Sequence, residues 1–220
     1  MIVTIDGPAG AGKSTAARNL AEKLGIPYLD TGATYRAVTL KALRGGADLR
    51  DEQALARLAR EMQLDLESGP DGVRVILDGH DVTKDIRLAE VTENVHYVAG
   101  SPAAREVLVG LQRRIGRGLG DFVAEGRDQG SVVFPDADVK FYLDAKPHVR
   151  AARRHKEMIE RGERAEAHEV LDAVTRRDLR DRNRDVAPLV RPEGAIEIDT
   201  TGKTLQEVAE ELHRHVERMR

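Results

Sequence analysis

Two hydrophobic periods alternate along this chain. Residues 1–5, Met1-Ile2-Val3-Thr4-Ile5, are apolar and β-branched, the pattern of a buried strand. Over residues 14–24 the period becomes helical, with Ala17, Leu20, Ala21 and Leu24 on one face. A short strand over 26–30 follows, then helical spacing over 33–43 that Gly45-Gly46 stops. Asp51-Glu52 opens a further helix reaching about Met62. From Leu64 to Val82 the pattern changes to short strands at 64–66, 73–77 and 81–82. Gly69-Pro70-Asp71-Gly72 and Asp78-Gly79 supply their turns, so this stretch reads as a small antiparallel insertion. Helices are expected over 89–99 and 102–117, strands over 121–125 and 139–143, and charged helices over 147–161 and 167–184. Gly162 interrupts the charged pair, and a strand over 195–199 and an amphipathic helix over 205–219 close the chain.

Strands separated by helices imply a mainly parallel sheet with helices on both faces. Ligands of such a sheet bind beyond the carboxyl ends of its strands. After the first strand comes Gly7-Pro8-Ala9-Gly10-Ala11-Gly12-Lys13-Ser14, and Thr15 follows. This is a complete phosphate-binding loop in its required setting, a strand before it and a helix after it. Its backbone N–H groups converge on phosphate oxygens, and the helix N-terminus adds partial positive charge. Lys13 reaches the terminal phosphates of a nucleoside triphosphate, and Ser14 offers a hydroxyl to Mg²⁺. After the second strand comes Asp30-Thr31-Gly32-Ala33-Thr34-Tyr35-Arg36. Gly126-Arg127-Asp128-Gln129-Gly130 follows the third, and an Arg-rich helix pair the fourth. Strand tips so placed ring one cleft with guanidinium groups, which suit bidentate phosphate recognition.

Two stretches of the helix pair carry further chemistry. Residues 176–184 hold five Arg and two Asp. They read either as a solvated face laced with ion pairs or as a base-reading face, with Arg177, Asp181 and Arg184 at i, i+4 and i+7. Arg150, Arg153, Arg154 and Arg161 read either as a basic solvent face or as a mobile lid that stabilises a transferring phosphoryl group. The seven His show no metal-ligand spacing. Composition narrows the classes further. The chain has no Cys, which removes disulfides and Cys-ligated metals. A formal charge of −3, 3% aromatic residues and no Trp argue against a nucleic-acid partner. No apolar run approaches the roughly 18 residues that span a bilayer, and the first residues do not read as a signal peptide. No membrane partner and a cytoplasmic location are therefore expected.

These motifs together resemble one family, the bacterial cytidylate kinases. The resemblance rests on Asp6-Gly7-Pro8-Ala9 into Gly12-Lys13-Ser14-Thr15, on Asp30-Thr31-Gly32-Ala33 with Tyr35-Arg36, and on Gly126-Arg127-Asp128-Gln129-Gly130 with Val133, Pro135 and Lys140. It rests also on Arg182-Asn183-Arg184-Asp185-Val186-Ala187-Pro188-Leu189. It implies a three-layer α/β/α P-loop fold with a five-stranded parallel sheet, an antiparallel insertion over 64–82 and a helical lid over 147–165. One kinase domain over 1–220 is expected, with 31–105 as its monophosphate-binding region. The activity implied is ATP-dependent phosphorylation of CMP and dCMP in pyrimidine nucleotide metabolism, with Mg²⁺ as cofactor, by a monomer. Thr31, Tyr35, Arg36, Arg105 and Arg127 would then line the monophosphate site, Arg177, Asp181 and Arg184 would read cytosine, and Asp128 would help anchor the base or sugar. Lys13, Arg127, Arg150 and Arg154 would stabilise the transferring group. Three residues depart from the family pattern: Thr34 where many members carry Met or Ile, Glu125 where Asp is usual, and His96 near the sugar. Two other readings stay open, a P-loop kinase for another small acceptor and a nucleotide-binding regulatory switch.

Overall fold

The computed structural model describes every residue except 70, 71, 161, 163 and 220. Pro70 and Asp71 of the expected hairpin turn, and Arg161 of the expected lid, lie outside the described residues. Along the chain, β1 (Ile2–Asp6) leads to α1 (Lys13–Leu24), β2 (Tyr28–Asp30), α2 (Thr31–Arg44) and α3 (Glu52–Glu61). The insertion follows as β3 (Leu64–Gly69), β4 (Gly72–Leu77) and β5 (His80–Asp81). Then come α4 (Ala89–Gly100), α5 (Pro102–Leu119), β6 (Phe122–Glu125) and β7 (Val139–Asp144). The helix pair α6 (Pro147–Glu160) and α7 (Ala167–Asn183), then β8 (Ile196–Asp199) and α8 (Leu205–Glu217), complete the order. A 3₁₀ turn at Asp85–Arg87 and a π-helical turn at Gln129–Val133 are not signalled by the hydrophobic pattern.

The main sheet has the order β2-β6-β1-β7-β8, and every neighbouring pair in it is parallel. The insertion is a separate antiparallel sheet, β3-β4-β5. Period-two alternation sorts the main sheet's side chains into two faces. Val3, Ile5, Val123, Phe141 and Leu143 pack with Ala16, Ala17 and Leu20 of α1 and with Val208, Leu212 and Val216 of α8. Leu29, Phe122 and Ala124 point the other way, against Val133 and Phe134, with Val109, Ile115 and Leu119 of α5 packed on them. The result is three layers with a core on each side of the sheet.

Register fixes where the site lies. Glu125 at the tip of β6 stands beside Ile5 of β1 on one flank and Asp30 of β2 on the other. The loops that leave these three strands therefore emerge side by side. No helix among the described residues is long and apolar enough to cross a membrane.

Candidate active site

The phosphate loop is built where only glycine fits. At Gly7, φ is 145° and an added Cβ would lie 2.0 Å from the Leu143 carbonyl oxygen. At Gly10, φ is 76° and a Cβ would meet the Arg150 carbonyl at 2.9 Å. Pro8, Ala9, Ala11 and Gly12 complete the turn, and Gly12 caps α1 in the left-handed region. No side chain caps that N-terminus, and its first turn holds no acidic residue, so its N–H groups and positive end are left for an anion. Lys13 is buried, and its Nζ donates to the Pro8 carbonyl at 2.8 Å. Burial, then the charge of Arg127, pushes its pKa down to about 7.

Ser14 Oγ donates to Glu125 Oε1 at 2.8 Å, and the Tyr28 hydroxyl reaches the same oxygen at 3.3 Å. Thr15, next to Ser14, is half-buried. A hydroxyl beside a carboxylate is a hard oxygen pair, the donor chemistry that Mg²⁺ accepts when phosphates and water supply its other ligands. Asp6 ties this loop to its neighbour. Its two oxygens accept from the N–H groups of Gln129 at 2.8 Å and Gly130 at 2.7 Å. Burial pushes its pKa up to about 7 against those two bonds.

Beside the loop lies a cleft whose walls include Thr31, Tyr35, Arg36, Arg105, Arg127, Asp128, Arg177, Asp181 and Arg184. All nine residues that the sequence points to for the acceptor thus meet in one place. Four elements deliver them: the first turns of α2, the start of α5, the turn after β6 and the end of α7. Arg36 Nη1 is fixed by the Ile86 carbonyl at 3.1 Å and Thr92 Oγ1 at 2.9 Å. Arg105 and Asp128 form a buried ion pair, and the Arg105 guanidinium lies 5.5 Å from the centre of the Tyr35 ring. Arg127 Nε donates to Asp181 Oδ2 at 3.1 Å.

Six Arg and four carboxylates line this cleft, so positive charge is in excess. The crowding shows in the titration of its members. Burial, then Arg127, lowers Arg177 to about 10, and burial lowers Arg36 to about 10 as well. Burial would raise the Asp181 carboxyl, but Arg127 and Arg177 outweigh it and hold it below the usual carboxylate range. Asp181 is therefore a carboxylate at neutral pH, able only to accept.

The α7 face ends sooner than its spacing suggests. The helix stops at Asn183, and Arg184 is an extended residue after it, with Nε donating to the Ala187 carbonyl at 2.5 Å. It reaches the cleft through this turn and not as a third residue on a helical face. Arg184 Nη2 is buried without a hydrogen-bond partner among the described residues.

A second cleft opens between Ala9 and Gly10 of the phosphate loop and the α6–α7 pair. Arg154, Arg164 and Arg176 line it, and it shares Thr92, Glu93, Arg177 and Arg180 with the first. Arg154 is partly exposed and bonds Glu157 at 3.2 Å. Arg150 lies elsewhere than the lid reading puts it. It is 1% exposed, and its guanidinium is taken up by the Ala145 carbonyl at 2.7 Å, the Ala9 carbonyl at 3.0 Å and Asp178 at 2.6 Å. Arg153 likewise faces the chain, on Thr200 Oγ1 at 3.0 Å and the Thr200 carbonyl at 2.6 Å.

Comparison with known proteins agrees with this geometry. The model of the cytidylate kinase family matches residues 3–218. The chain belongs to the cytidylate kinase family. It is 45% identical to the cytidylate kinase of Clostridioides difficile over 212 residues, 96% of each chain. It is 48% identical to that of Pelotomaculum thermopropionicum over 207 residues, 94% of this chain and 91% of the other. Among solved structures, a shikimate kinase from Bacteroides thetaiotaomicron matches with a TM-score of 0.50 at 14% identity, covering 99% of this chain and 98% of that one. That likeness shows the shared P-loop kinase fold.

Within the family pattern, each departing residue has a local partner. Thr34 is buried, and its hydroxyl donates to the Thr31 carbonyl and accepts from Gln112 Nε2, both at 2.8 Å. Glu125 holds Ser14 through its longer side chain. His96 lines the cleft with Nδ1 2.6 Å from the Glu93 carbonyl oxygen, and burial lowers its pKa. Sequence reasoning overlooked Thr92, Glu93 and Arg180 in the wall, and it named Asp6 in the opening motif without giving it a role. Thr92 and Glu93 sit in an ordinary amphipathic helix pattern, and Asp6 stands just after the apolar run of residues 1–5 with nothing local to show its partners.

Proposed function

We propose that the two adjoining clefts hold ATP and a cytidine monophosphate end to end, and that the phosphoryl group passes directly between them. The chain is a phosphotransferase that converts CMP to CDP, and dCMP to dCDP, at the expense of ATP. The observation that carries this reading is the ring of Arg36, Arg105, Arg127, Arg177 and Arg184 around Asp181, opening beside the phosphate loop.

The phosphate loop and Lys13 take the triphosphate, with N–H groups and one ammonium placed where negative charge accumulates. Ser14 and Glu125 would hold Mg²⁺, which when bound neutralises charge on the phosphates. Arg36, Arg105 and Arg127 take the acceptor phosphate, with Thr31 and Tyr35 beside it. Asp181 accepts from the exocyclic amine of cytosine, flanked by Arg177 and Arg184, and Asp128 anchors base or sugar through its tie to Arg105. Arg154 brings charge to the transferring group from the lid. On this reading residues 31–105 form the acceptor region of a single monomeric domain, residues 147–165 its lid, and the protein serves pyrimidine nucleotide metabolism in the cytoplasm.

Coupled ADP production measured with CMP, dCMP, UMP, AMP and GMP tests the assignment. CMP and dCMP should be the preferred acceptors. Faster turnover of UMP or AMP would contradict it, as would ATP hydrolysis indifferent to every acceptor.

A further inference from the structure

Arg150 is among the most deeply buried charged side chains of the molecule, and neither cleft is lined by it. Its three closest contacts belong to three different parts, and a longer ion pair to Asp144 Oδ1 at 3.9 Å adds to the one at the end of β7. Nε donates to the Ala145 carbonyl at the end of β7, Nη1 to the Ala9 carbonyl of the phosphate loop, and Nη2 pairs with Asp178 of α7. Asp178 directly follows Arg177 and lies one helical turn before Asp181. A single planar guanidinium thus joins the donor loop to the helix that carries the acceptor's base-reading groups.

The contact with Ala9 has a consequence for the loop. The peptide plane is rigid and trans, so fixing the Ala9 carbonyl toward Arg150 turns the Gly10 N–H the opposite way. The orientation of a phosphate-binding N–H is therefore set by Arg150. The second ring of contacts strengthens the tie. Arg153 holds Thr200, whose hydroxyl also donates to the Ala11 carbonyl at 3.1 Å. Helix α6 is thereby clamped to the underside of the donor loop at two points, and Asp178 is its charged link to α7.

Stability alone does not account for this arrangement. A buried ion pair contributes little net stability, because desolvation offsets the attraction. Here Asp178 Oδ1 is also buried without a hydrogen-bond partner among the described residues, so the pairing is not even complete.

We infer that Arg150 is a positioning residue that makes the phosphate loop and α7 respond as one body, so that ATP and the cytidine monophosphate each tighten the other's binding. This rests on the reading of the two clefts as donor and acceptor sites. Coupling of this kind is reciprocal and expressed as a ratio of dissociation constants.

Calorimetric titration of CMP, alone and with a saturating non-hydrolysable ATP analogue, reads that ratio. In the wild-type protein the analogue should tighten CMP binding by about 5-fold or more. In Asp178→Asn the tightening should fall below about 2-fold, while CMP alone binds as in the wild type. Arg150→Lys should behave alike, because one ammonium cannot span three acceptors. The ratio is taken within one protein, so a variant that yields less folded material leaves it unmoved. Tightening that persists in Asp178→Asn and Arg150→Lys would overturn the inference. So would its absence from the wild type, or a loss of affinity for CMP alone that matches the loss with the analogue. Failure of the wild type to bind CMP at all would instead overturn the reading of the acceptor cleft.

Discussion

Lys13 sits at the foot of the phosphate loop with its ammonium on the Pro8 carbonyl, in surroundings that disfavour its charge. Burial and Arg127 place its pKa near 7 against an ordinary value of 10.5. A polyphosphate brought against it reverses the sign of the local field and raises that pKa again. Between these limits Lys13 is mostly neutral before ATP binds and charged after it, so binding takes up a proton. At pH 8 the calorimetric enthalpy of ATP binding should therefore vary with the ionisation enthalpy of the buffer, in the direction of uptake. Lys13→Arg should abolish that dependence, because a guanidinium stays charged throughout. A wild-type enthalpy indifferent to buffer would contradict this account of the loop. Asp181 obeys the opposite sign: its neighbours keep it ionised, as an acceptor of the cytosine amine requires.

At the scale of elements, α2 carries much of the acceptor wall and owes its start to Asp30. The Asp30 carboxylate accepts from the Ala33 N–H at 3.1 Å and pairs with Arg87 at 3.1 Å. Thr31, Tyr35 and Arg36 all hang on the first two turns that this cap secures. Asp30→Ala should cost about 1–2 kcal/mol in a urea unfolding titration and raise KM for CMP. Unchanged stability would show that the cap is redundant. The sequence pattern places the strand here but starts the helix at 33, because Asp30 ends an apolar run and reads as part of it. The observed helix begins at Thr31. Core strands and the glycine loop were legible because their signals are local: period, β-branching and a fixed motif. The π-helical turn at Gln129–Val133 was not, because Asp6 pins its start from 123 residues away. The end of α7 was missed by one residue, and with it the turn that carries Arg184 to the cleft.

Across the whole molecule, the acceptor cleft draws on residues as far apart as Thr31 and Arg184, yet much of it could be read beforehand. A parallel sheet gathers its strand tips at one edge, so Arg residues placed just after strands are already neighbours. Arg150 escaped that logic. In sequence it looks like any Arg of a basic helix, and only the packing of α6 beneath the phosphate loop turns it inward. The same packing sets Asp181 against Arg127, where base recognition and phosphate binding touch. Cytosine offers Asp181 a donor, whereas uracil offers a carbonyl oxygen, which faces the carboxylate without a proton and leaves the side turned away from Arg127 unsatisfied. Such a mismatch costs about 1–3 kcal/mol, more for a charged group, enough for a preference of about tenfold or greater. The most direct test is the ratio of kcat/KM for CMP to that for UMP, in the wild-type protein and in Asp181→Ala. The account predicts a ratio of at least about 10 in the wild type, and a collapse toward unity in the variant as its rate on CMP falls. The same ratio in both proteins would mean that cytosine is read elsewhere and that the end of α7 is a solvated charged face.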